Sequence, residues 1–464
     1  MDKTSITTRL AERVQERGHD IPRPVLDLAG ACVLDGVGNM LAGSIQPVGK
    51  LIVEFAAAWG GAADAVVIGT GLRVSAPAAA LCNGTFHRAL DFDNTWLPLD
   101  HPVAASHAAL WSLVTGAHLS LSGRQFIECL LVGMEMQARI RIAAESAHHK
   151  AGAKGRGIFG TLAATAACCR ALGLSVHQTV MAFGIAAGRV GGVDNSGTMA
   201  NPADSGLAAR NGVESALLAA SGFTGRAGII EAASGFAQYL ADDAPLESIA
   251  ENFARPWRLA ELGVAFKKYP CQYPTHWGVD AVRAAMAQES ASYDDVESVE
   301  LAITATPGHT SFNERSIDST PPASGLAGKF NVAYTAAAAL RYGEVGIDVF
   351  SDEAARSPQM AEALGKVRVC LLPAIESYEH MCAEADITLR NGHRLHAVVR
   401  RPHGIWGDPL PLDARLRKFR TCASLVLESE RVELLAGRLA DLEAVTDMRI
   451  FAALLAPTPT VTKE

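Results

Sequence analysis

Apolar stretches without period-two alternation dominate the first half of the chain. They are rich in Ala, Leu and Gly and cover residues 24–42, 125–144, 161–172, 177–187 and 207–221. Apolar runs of this length that lack alternation are typical of helices that are buried on more than one side. Gly173 and Gly222 follow two of these stretches directly, where a helix commonly ends. The pattern therefore predicts a helical bundle over the first half of the chain.

The spacing of apolar residues changes after Lys267. Apolar and polar or small residues alternate over 299–303 and again over 367–371, as expected for strands with one buried face. Two further apolar runs, 387–389 and 395–399, flank Asn391 and Gly392, a dipeptide that accepts the positive φ angles of a tight hairpin turn. After Pro411 the helical pattern returns, over 413–427 and 430–442.

The predicted fold class is therefore mainly α, with a large all-helical domain and a smaller α+β domain. We expect residues 1–266 to form the first part of the helical domain and 267–400 to form the α+β domain. Residues 401–464 are expected to return to the helical domain, so that both chain ends build it. A chain of 464 residues is long enough for two domains of these sizes.

Composition narrows the classes of function that the chain can have. Hydrophobic residues make up 49% and charged residues 19%, which predicts a folded chain with a large core. The net charge is −8 and no run of Lys and Arg occurs, so no nucleic-acid partner is expected. No apolar run reaches the roughly 18 residues that cross a bilayer, and the first residues lack a signal-peptide pattern. We therefore expect no membrane association and a cytoplasmic location.

The densest group of chemically active side chains runs from His87 to Trp96 and continues to His101 and Pro102. It lies between two mostly apolar stretches, 78–82 and 103–117, and so occupies a connection between core elements. Connections of this kind often carry catalytic residues.

Two alternatives apply to this segment. Asp91, Asp93, His101 and His107 have the side chains of metal ligands, but their spacing matches no established site and we predict no metal. Asp91 and Thr95 could also cap helices, which their side chains do well.

Two other stretches are candidates for a binding site. Residues 155–160 have the spacing of a dinucleotide fingerprint, but no apolar strand precedes them and no acid follows at the expected distance. We therefore predict no nucleotide cofactor.

Residues 194–206 are predicted to form a polar loop between two apolar helices, which could contact a ligand.

Lys267 lies at the predicted domain boundary, where clefts favour ligands, although a lysine before a Tyr-Pro turn is usually solvated. Tyr334, in an alanine-rich helix, could equally be a core residue with a satisfied hydroxyl.

In this order along the chain, the motifs resemble the MmgE/PrpD family over nearly the whole sequence. The motifs that carry the resemblance are His-x-x-x-Asp-Phe-Asp-x-Thr-Trp…His-Pro at 87–102, Phe-Gly-Thr at 159–161, Gly-Thr-Met at 197–199, Gly-Phe-Thr-Gly at 222–225, Lys-x-Tyr-Pro at 267–270 with His276 and Asp280, and Lys329-Phe330 with Tyr334. The resemblance implies a large helical domain, a smaller lid domain, an active site between them that needs no cofactor, and a homodimer.

The resemblance also implies five catalytic residues: Asp91, Thr95, His101, Lys267 and Tyr334. His101 is expected to act as general acid and base, and Asp91 to orient it or to take protons itself. Lys267 and Tyr334 would hold a substrate carboxylate or supply a proton, and Thr95 would position the substrate.

Four further positions are expected to bind substrate: Lys154, Asn201, Asp204 and His276. Asn201 and Asp204 replace a lysine and a histidine of the family pattern, and Ala153 and Lys154 replace an aromatic-histidine pair. These changes remove positive charge and add a carboxylate, so we expect an unusual substrate. Lys154 would restore part of the positive charge if it points inward.

The expected function is a cofactor-independent lyase, either a dehydratase or a decarboxylase, that acts on a small di- or tricarboxylate. Its chemistry would begin by removing a proton or a carboxylate next to a carboxylate, with cations and hydrogen-bond donors stabilising the resulting anion. Two alternatives stay open: an epimerase that removes and returns a proton, and an inert family member that only binds a carboxylate.

Overall fold

Most of the chain folds into helices, which confirms the mainly α fold class. The computed structural model describes residues 5–18, 20–96, 100–116, 119–144, 155–191, 195, 197–239, 244–289, 291–305, 313–314, 317–375 and 378–457. Contacts divide the chain into two units. The first takes in the chain up to Asn195, Met199–Phe266 and the chain from Trp406 onward. The second takes in Lys267–Ile405 and a short piece around Gly197, so it ends at Ile405 rather than at residue 400.

Helices build nearly all of the first unit. Its helices before the second unit are α1 (Ile6–Gln15), α2 (Arg23–Ser44), α3 (Pro47–Trp59), α4 (Ala76–Ala89), α5 (Ala104–Thr115), α6 (Gly123–Ala143), α7 (Gly155–Ala171), α8 (Val176–Ala187), α9 (Ala200–Ala220), α10 (Glu247–Ala250) and α11 (Arg258–Leu262). Two short antiparallel strands, β1 (Ala65–Val66) and β2 (Arg73–Val74), join them.

The second unit combines helices with a four-stranded sheet. Its helices are α12 (Thr275–Met286), α13 (Gly325–Gly328), α14 (Val332–Tyr342), α15 (Asp352–Ala355) and α16 (Pro358–Gly365). Its strands are β3 (Val296–Thr304), β4 (Val367–Leu372), β5 (Ala383–Leu389) and β6 (Arg394–Val399). The chain then returns to the first unit with α17 (Leu412–Ala423), α18 (Ser429–Ala440) and α19 (Phe451–Leu454). Short 3-10 helices lie at Phe236–Tyr239, Tyr293–Asp295, Asp348–Phe350, Tyr378–His380, Leu442–Ala444 and Met448–Ile450.

The sheet of the second unit has the strand order β4-β3-β5-β6. β3 runs parallel to β4 and antiparallel to β5, and β5 pairs antiparallel with β6. Alternate residues of β5 are buried, as its period-two pattern predicts, and helix α12 packs against β5 and β6. The hairpin predicted at Asn391-Gly392 is confirmed, since Gly392 has φ +84° in the turn between β5 and β6.

The five helices predicted in the first half are confirmed, but the polar loop expected over 194–206 is wrong in its second half. Helix α9 begins at Ala200, so Asn201 and Asp204 lie in its first turns. Pro202 misled the interpretation, because proline is tolerated in the first turn of a helix, where its missing N–H is not needed. Glycine is also common in loops, but Gly206 lies within α9 and lets this helix pack closely against α4.

Small residues let α4 and α9 approach closely. A Cβ atom added at Gly84 of α4 would lie 2.7 Å from the Cα of Gly206, and one added at Gly206 would lie 2.3 Å from the carbonyl oxygen of Leu81. Both positions therefore need glycine for the two backbones to touch. This crossing fixes α4, and the candidate catalytic segment follows α4 directly.

Helix α2 is the only described helix that is long and apolar enough to span a membrane by length and composition. Its most apolar window is 83% buried inside the protein, which is the environment of a core helix. Asp35 and Asn39, both buried, lie in the same helix.

We predict that Gly84→Ala lowers the free energy of unfolding by about 1–3 kcal/mol or more, because the new methyl group must push the α4 and α9 backbones apart. The matched control is Gly30→Ala in α2, where an added Cβ meets nothing within 4 Å. That change should raise the free energy of unfolding by roughly 0.5–1 kcal/mol through helix propensity. Denaturant unfolding measures both values, and equal effects of the two substitutions would contradict the close crossing.

Candidate active site

The candidate segment begins where α4 ends. Asp91 has a left-handed backbone, with φ +51°, and its N–H donates to the carbonyl of Arg88 at 3.0 Å. Aspartate tolerates this conformation better than most residues, and a left-handed residue commonly terminates a helix. The chain therefore turns sharply at Asp91 while Arg88 remains on the last turn of α4. This turn is the local reason that side chains on both sides of it meet.

Two short backbone pairings hold the rest of the segment. Thr95 exchanges both backbone hydrogen bonds with Ala265, at 3.0 and 2.9 Å. Trp96 exchanges two more with Asp100, at 3.0 and 2.9 Å, so the chain returns on itself just before His101. The side chain of Gln137 in α6 donates to Asp100 Oδ2 at 2.8 Å and to the carbonyl of His101 at 3.2 Å. His101 is therefore fixed by backbone contacts as well as by its ring.

The central contact of the site joins Arg88, Asp93 and His101. Arg88 Nη1 donates to Asp93 Oδ1 at 2.5 Å, and the other carboxylate oxygen of Asp93 lies 2.9 Å from His101 Nδ1. Arg88 and Asp93 are 3% and 0% exposed, and the side chain of His101 is 10% exposed. Buried hydrogen bonds between ionised groups are short and strong, so this arrangement orients the imidazole ring.

The proton on His101 Nδ1 follows from the charges around it. Arg88 Nη1 lies 2.7 Å from the same nitrogen, so either Arg88 donates to it or Nδ1–H donates to Asp93. Arg88 also contacts Asp91 Oδ1 at 3.2 Å, and the two aspartates with one arginine carry a net charge of −1. That charge favours a proton facing Asp93, because an unprotonated Nδ1 would place its lone pair against a carboxylate. We propose that Nδ1–H is the donor to Asp93, with the Arg88 guanidinium directed at the carboxylate oxygens of Asp93 and Asp91.

The carbonyl of Phe92, between the two aspartates, is held by both ends of the chain. Lys418 in α17 donates to it at 2.6 Å and forms a salt bridge with Asp35 of α2 at 2.7 Å. Asn39 donates to Asp35 at 3.1 Å and to the Phe92 carbonyl at 3.4 Å. The Lys418 ammonium also lies 3.8 Å from the centre of the Phe92 ring. These contacts make the C-terminal helices part of the support for the site.

The structure thus brings together three of the five predicted catalytic residues: Asp91, Thr95 and His101, within one connection of the first unit. The carboxylate seen against the His101 ring is that of Asp93, whereas Asp91 contacts Arg88. The Thr95 hydroxyl is buried and has no hydrogen-bond partner among the residues that the structure describes. The catalytic roles of the three residues stay predictions.

The other two predicted catalytic residues belong to the second unit. Lys267 is its first residue after Phe266 and is 1% exposed. Tyr334, in α14, is fully buried, and its hydroxyl donates to the carbonyl of Val349 at 2.5 Å. Burial raises the pKa of Tyr334 above its ordinary value. The hydroxyl proton of Tyr334 is therefore already used in a hydrogen bond within the second unit.

The predicted substrate-binding residues are spread over both units. Asn201 and Asp204 are 4% and 8% exposed in α9, and Lys154 lies outside the described residues. His276, in α12 of the second unit, is 1% exposed, and its ring packs against Tyr269 and Tyr273 at centroid distances of 5.1 and 5.0 Å.

A pocket of about 640 Å³ lies within the first unit beside Asp204. Arg189 and Arg210 also line it, and both form salt bridges with Glu214, at 2.5 and 3.4 Å. Its described lining comes from α7, α9 and the segment after α8, and does not include Asp91, Thr95 or His101.

His87 and His107 are buried core residues rather than ligands of a described metal site. Their rings meet edge to face, with centroids 5.4 Å apart, and His107 Nε2 accepts a hydrogen bond from Trp111 at 2.8 Å. Burial lowers the pKa of His87 to about 4 and that of His107 well below its ordinary value. Among the described residues, no group of three or more His, Cys, Asp or Glu is placed to hold a metal ion.

Sequence reasoning missed the two residues that hold His101. Asp93 was considered only as a metal ligand and Arg88 not at all, although both lie in the segment that drew attention. Hydrophobic periodicity does not predict the contact between Arg88 and Asp93, because the two residues are five positions apart and the helix ends between them. Lys418 had no signal either, because it is separated from Phe92 by 326 positions in the chain.

Comparison with known protein families identifies the family of this chain. The family model of the MmgE/PrpD N-terminal domain matches residues 8–249, and that of the MmgE/PrpD C-terminal domain matches residues 269–442. The chain belongs to the MmgE/PrpD family. Lys267, where the first structural unit gives way to the second, lies between the two matches.

Several curated members of the MmgE/PrpD family are similar to this chain over nearly their whole length. The human protein named cis-aconitate decarboxylase is 29% identical, over 98% of this chain and 95% of its own. The mouse protein of that name is 28% identical, over 91% and 87%. The Aspergillus terreus protein of that name is 25% identical, over 94% and 92%.

The depressed pKa of His87 predicts how stability depends on pH. In the folded protein His87 stays neutral down to about pH 4, whereas in the unfolded chain it gains a proton below about pH 6.5. The free energy of unfolding therefore falls as pH falls from 6.5 toward 4, with a contribution from His87 of roughly 2 kcal/mol between pH 7 and pH 5.

Denaturant unfolding at pH 7 and pH 5 measures this contribution. His87→Leu should lose less stability between the two pH values than the unmodified protein does. His393→Gln is the matched control, since the His393 side chain is 67% exposed. An unaltered pH dependence in His87→Leu would show that burial does not hold this imidazole neutral.

Proposed function

We propose that this MmgE/PrpD protein is a cofactor-independent lyase that acts on a small di- or tricarboxylate, with His101 as its general acid and base. The observation that carries the proposal is the buried contact of His101 with Asp93 and Arg88. A buried carboxylate that holds an imidazole by one nitrogen is a recurring way to prepare a histidine for proton transfer.

The charges around His101 support proton removal as the first step. Asp91, Asp93 and Arg88 together carry a net charge of −1, so a proton gained by His101 makes the group neutral. Carbon next to a carboxylate is a weak acid, and a base must be stabilised in its protonated form to remove a proton from it. Asp93 does this for His101 without itself needing to take the proton.

The anion that forms on the substrate needs a cation or hydrogen-bond donors. We propose that Lys267 supplies the positive charge and that the Thr95 hydroxyl donates to a substrate carboxylate. The Tyr334 hydroxyl donates to Val349, so we propose that Tyr334 holds a carboxylate only by exchanging that hydrogen bond for one to the substrate. From such an anion, loss of a β-hydroxyl completes a dehydration. Loss of carbon dioxide from the substrate produces a similar anion directly.

Similarity to proteins named cis-aconitate decarboxylase supports a lyase, and identities of 25–29% leave the substrate open. The departures at Asn201 and Asp204 also favour a substrate with a different charge distribution. Proton NMR and ultraviolet absorbance, with cis-aconitate, 2-methylcitrate and aspartate-derived imines as substrates, test the reaction class. Loss of water or carbon dioxide supports the lyase, whereas exchange of solvent deuterium into an otherwise unchanged substrate would identify an epimerase.

We predict that His101→Ala and Lys267→Ala each lower kcat by at least about a hundredfold with any substrate found in this way, since both act on the charge of the transition state. The matched controls are His393→Ala and Lys50→Ala, whose residues are exposed. Steady-state kinetics measures kcat, and unfolding curves confirm that each variant is folded. A near-normal kcat in a folded His101→Ala or Lys267→Ala variant would remove that residue from the mechanism.

A further inference from the structure

The pocket beside Asp204 in the first unit has charged walls of both signs. Its volume of about 640 Å³ is within the range of cavities that hold small molecules. The charged side chains of its described lining are Arg189, Asp204, Arg210 and Glu214, and the last three lie on α9. Their formal charges cancel, so the lining favours a ligand without a large net charge.

Two of these four charges, those of Arg189 and Glu214, neutralise each other. Arg189 Nη1 lies 2.5 Å from Glu214 Oε2, which is a short, charge-assisted contact. The backbone of Arg189 is held as well, because Asn211 Nδ2 donates to its carbonyl at 3.0 Å. The charges outside this pair are those of Arg210 and Asp204.

The guanidinium of Arg210 is held by its face and not by its N–H groups. Its Nε is buried and has no hydrogen-bond partner among the residues that the structure describes, and its contact with Glu214 Oε1 is 3.4 Å long. The guanidinium carbon lies over the ring of Trp59, 5.4 Å from the ring centre. A guanidinium stacked in this way can direct its edge of N–H donors at a planar acceptor, and a carboxylate accepts two of those donors at once.

Asp204 provides a negative charge in the same pocket. It precedes Arg210 by six positions in α9, so the two backbone positions are about 9 Å apart along the helix axis. Asp204 is 8% exposed, and a charge that is so well buried is little screened by salt. Asp204 therefore repels a second carboxylate of a ligand and attracts an ammonium group.

We propose that this pocket binds a small zwitterionic amino acid, with its carboxylate on Arg210 and its ammonium group toward Asp204. Ligand and lining then match in sign at both ends of the ligand, and neither carries a net charge. The inference does not depend on the catalytic role proposed for His101, because the described lining of the pocket does not include that residue.

Four probe compounds with the same five-carbon chain test the proposal: 2-aminopentanoate, 5-aminopentanoate, pentanoate and pentan-1-amine. The two amino acids carry both charges at different separations, pentanoate lacks the ammonium group, and pentan-1-amine lacks the carboxylate. Isothermal titration calorimetry gives Kd for each. The unmodified protein should bind at least one of the amino acids at least about tenfold more tightly than either singly charged compound, because each of those leaves one half-buried charge without its partner.

Two substitutions assign the two ends of the ligand. In Arg210→Gln the preference for the amino acid over pentan-1-amine should fall to within about threefold, since the carboxylate has lost its cation. In Asp204→Asn the preference over pentanoate should fall to the same extent. Arg210→Lys is a second variant at the first position, and it should bind the amino acid more weakly than the unmodified protein does because lysine lacks the planar pair of donors.

Arg226→Gln and Asp20→Asn are the matched controls, because both residues are exposed, and both variants should keep the two preferences. Unfolding curves confirm that each variant is folded. Failure of all four probes to bind, or equal binding of the amino acids and the singly charged compounds, would overturn the ligand class. Undiminished preferences in folded Arg210 and Asp204 variants would place the amino acid elsewhere and overturn the assigned site. Neither result bears on the lyase, which is tested by the kcat of His101→Ala.

Discussion

The carboxylate of Asp93, buried between the Arg88 guanidinium and the His101 imidazole, is the interaction on which the rest of the site depends. A lone buried carboxylate would be unfavourable, and Arg88 makes it tolerable at a distance of 2.5 Å. The same carboxylate then fixes the ring of His101. Because Arg88 lies in the last turn of α4 and His101 lies just before α5, the contact also closes the connection between the two helices.

Several helices of the first unit hold the residues of this contact in place. The glycine crossing of α4 with α9 fixes the helix that carries Arg88, and α2 and α17 hold the Phe92 carbonyl through Asn39 and Lys418. Helix α2 near the N-terminus and helix α17 near the C-terminus therefore both contact the candidate catalytic segment at the carbonyl of Phe92. A substitution in α2 or α17 that moves the Phe92 carbonyl would also move Asp93, and Asp93 holds the His101 ring.

Much of the fold could be predicted from the sequence, because helix and strand periods differ and the hairpin at Gly392 has a distinctive dipeptide. The start of α9 could not, since Pro202 and Gly206 also occur in loops, and their helical role depends on neighbours that the sequence does not show. The segment 87–102 was identified from its density of polar groups. The partnership of Asp93 with His101 was missed, because it depends on the left-handed turn at Asp91 and on the loop that returns at Asp100.

The protonation of His101 tests the account most directly. Nitrogen-15 NMR of protein with labelled histidine reports which ring nitrogen carries a proton, and His101→Ala identifies the signal. The account predicts a protonated Nδ1 at neutral pH, hydrogen-bonded to Asp93, and a change in this signal in Asp93→Asn. An unprotonated Nδ1 in the unmodified protein would mean that Arg88 donates to the ring instead, and would contradict the role given to Asp93.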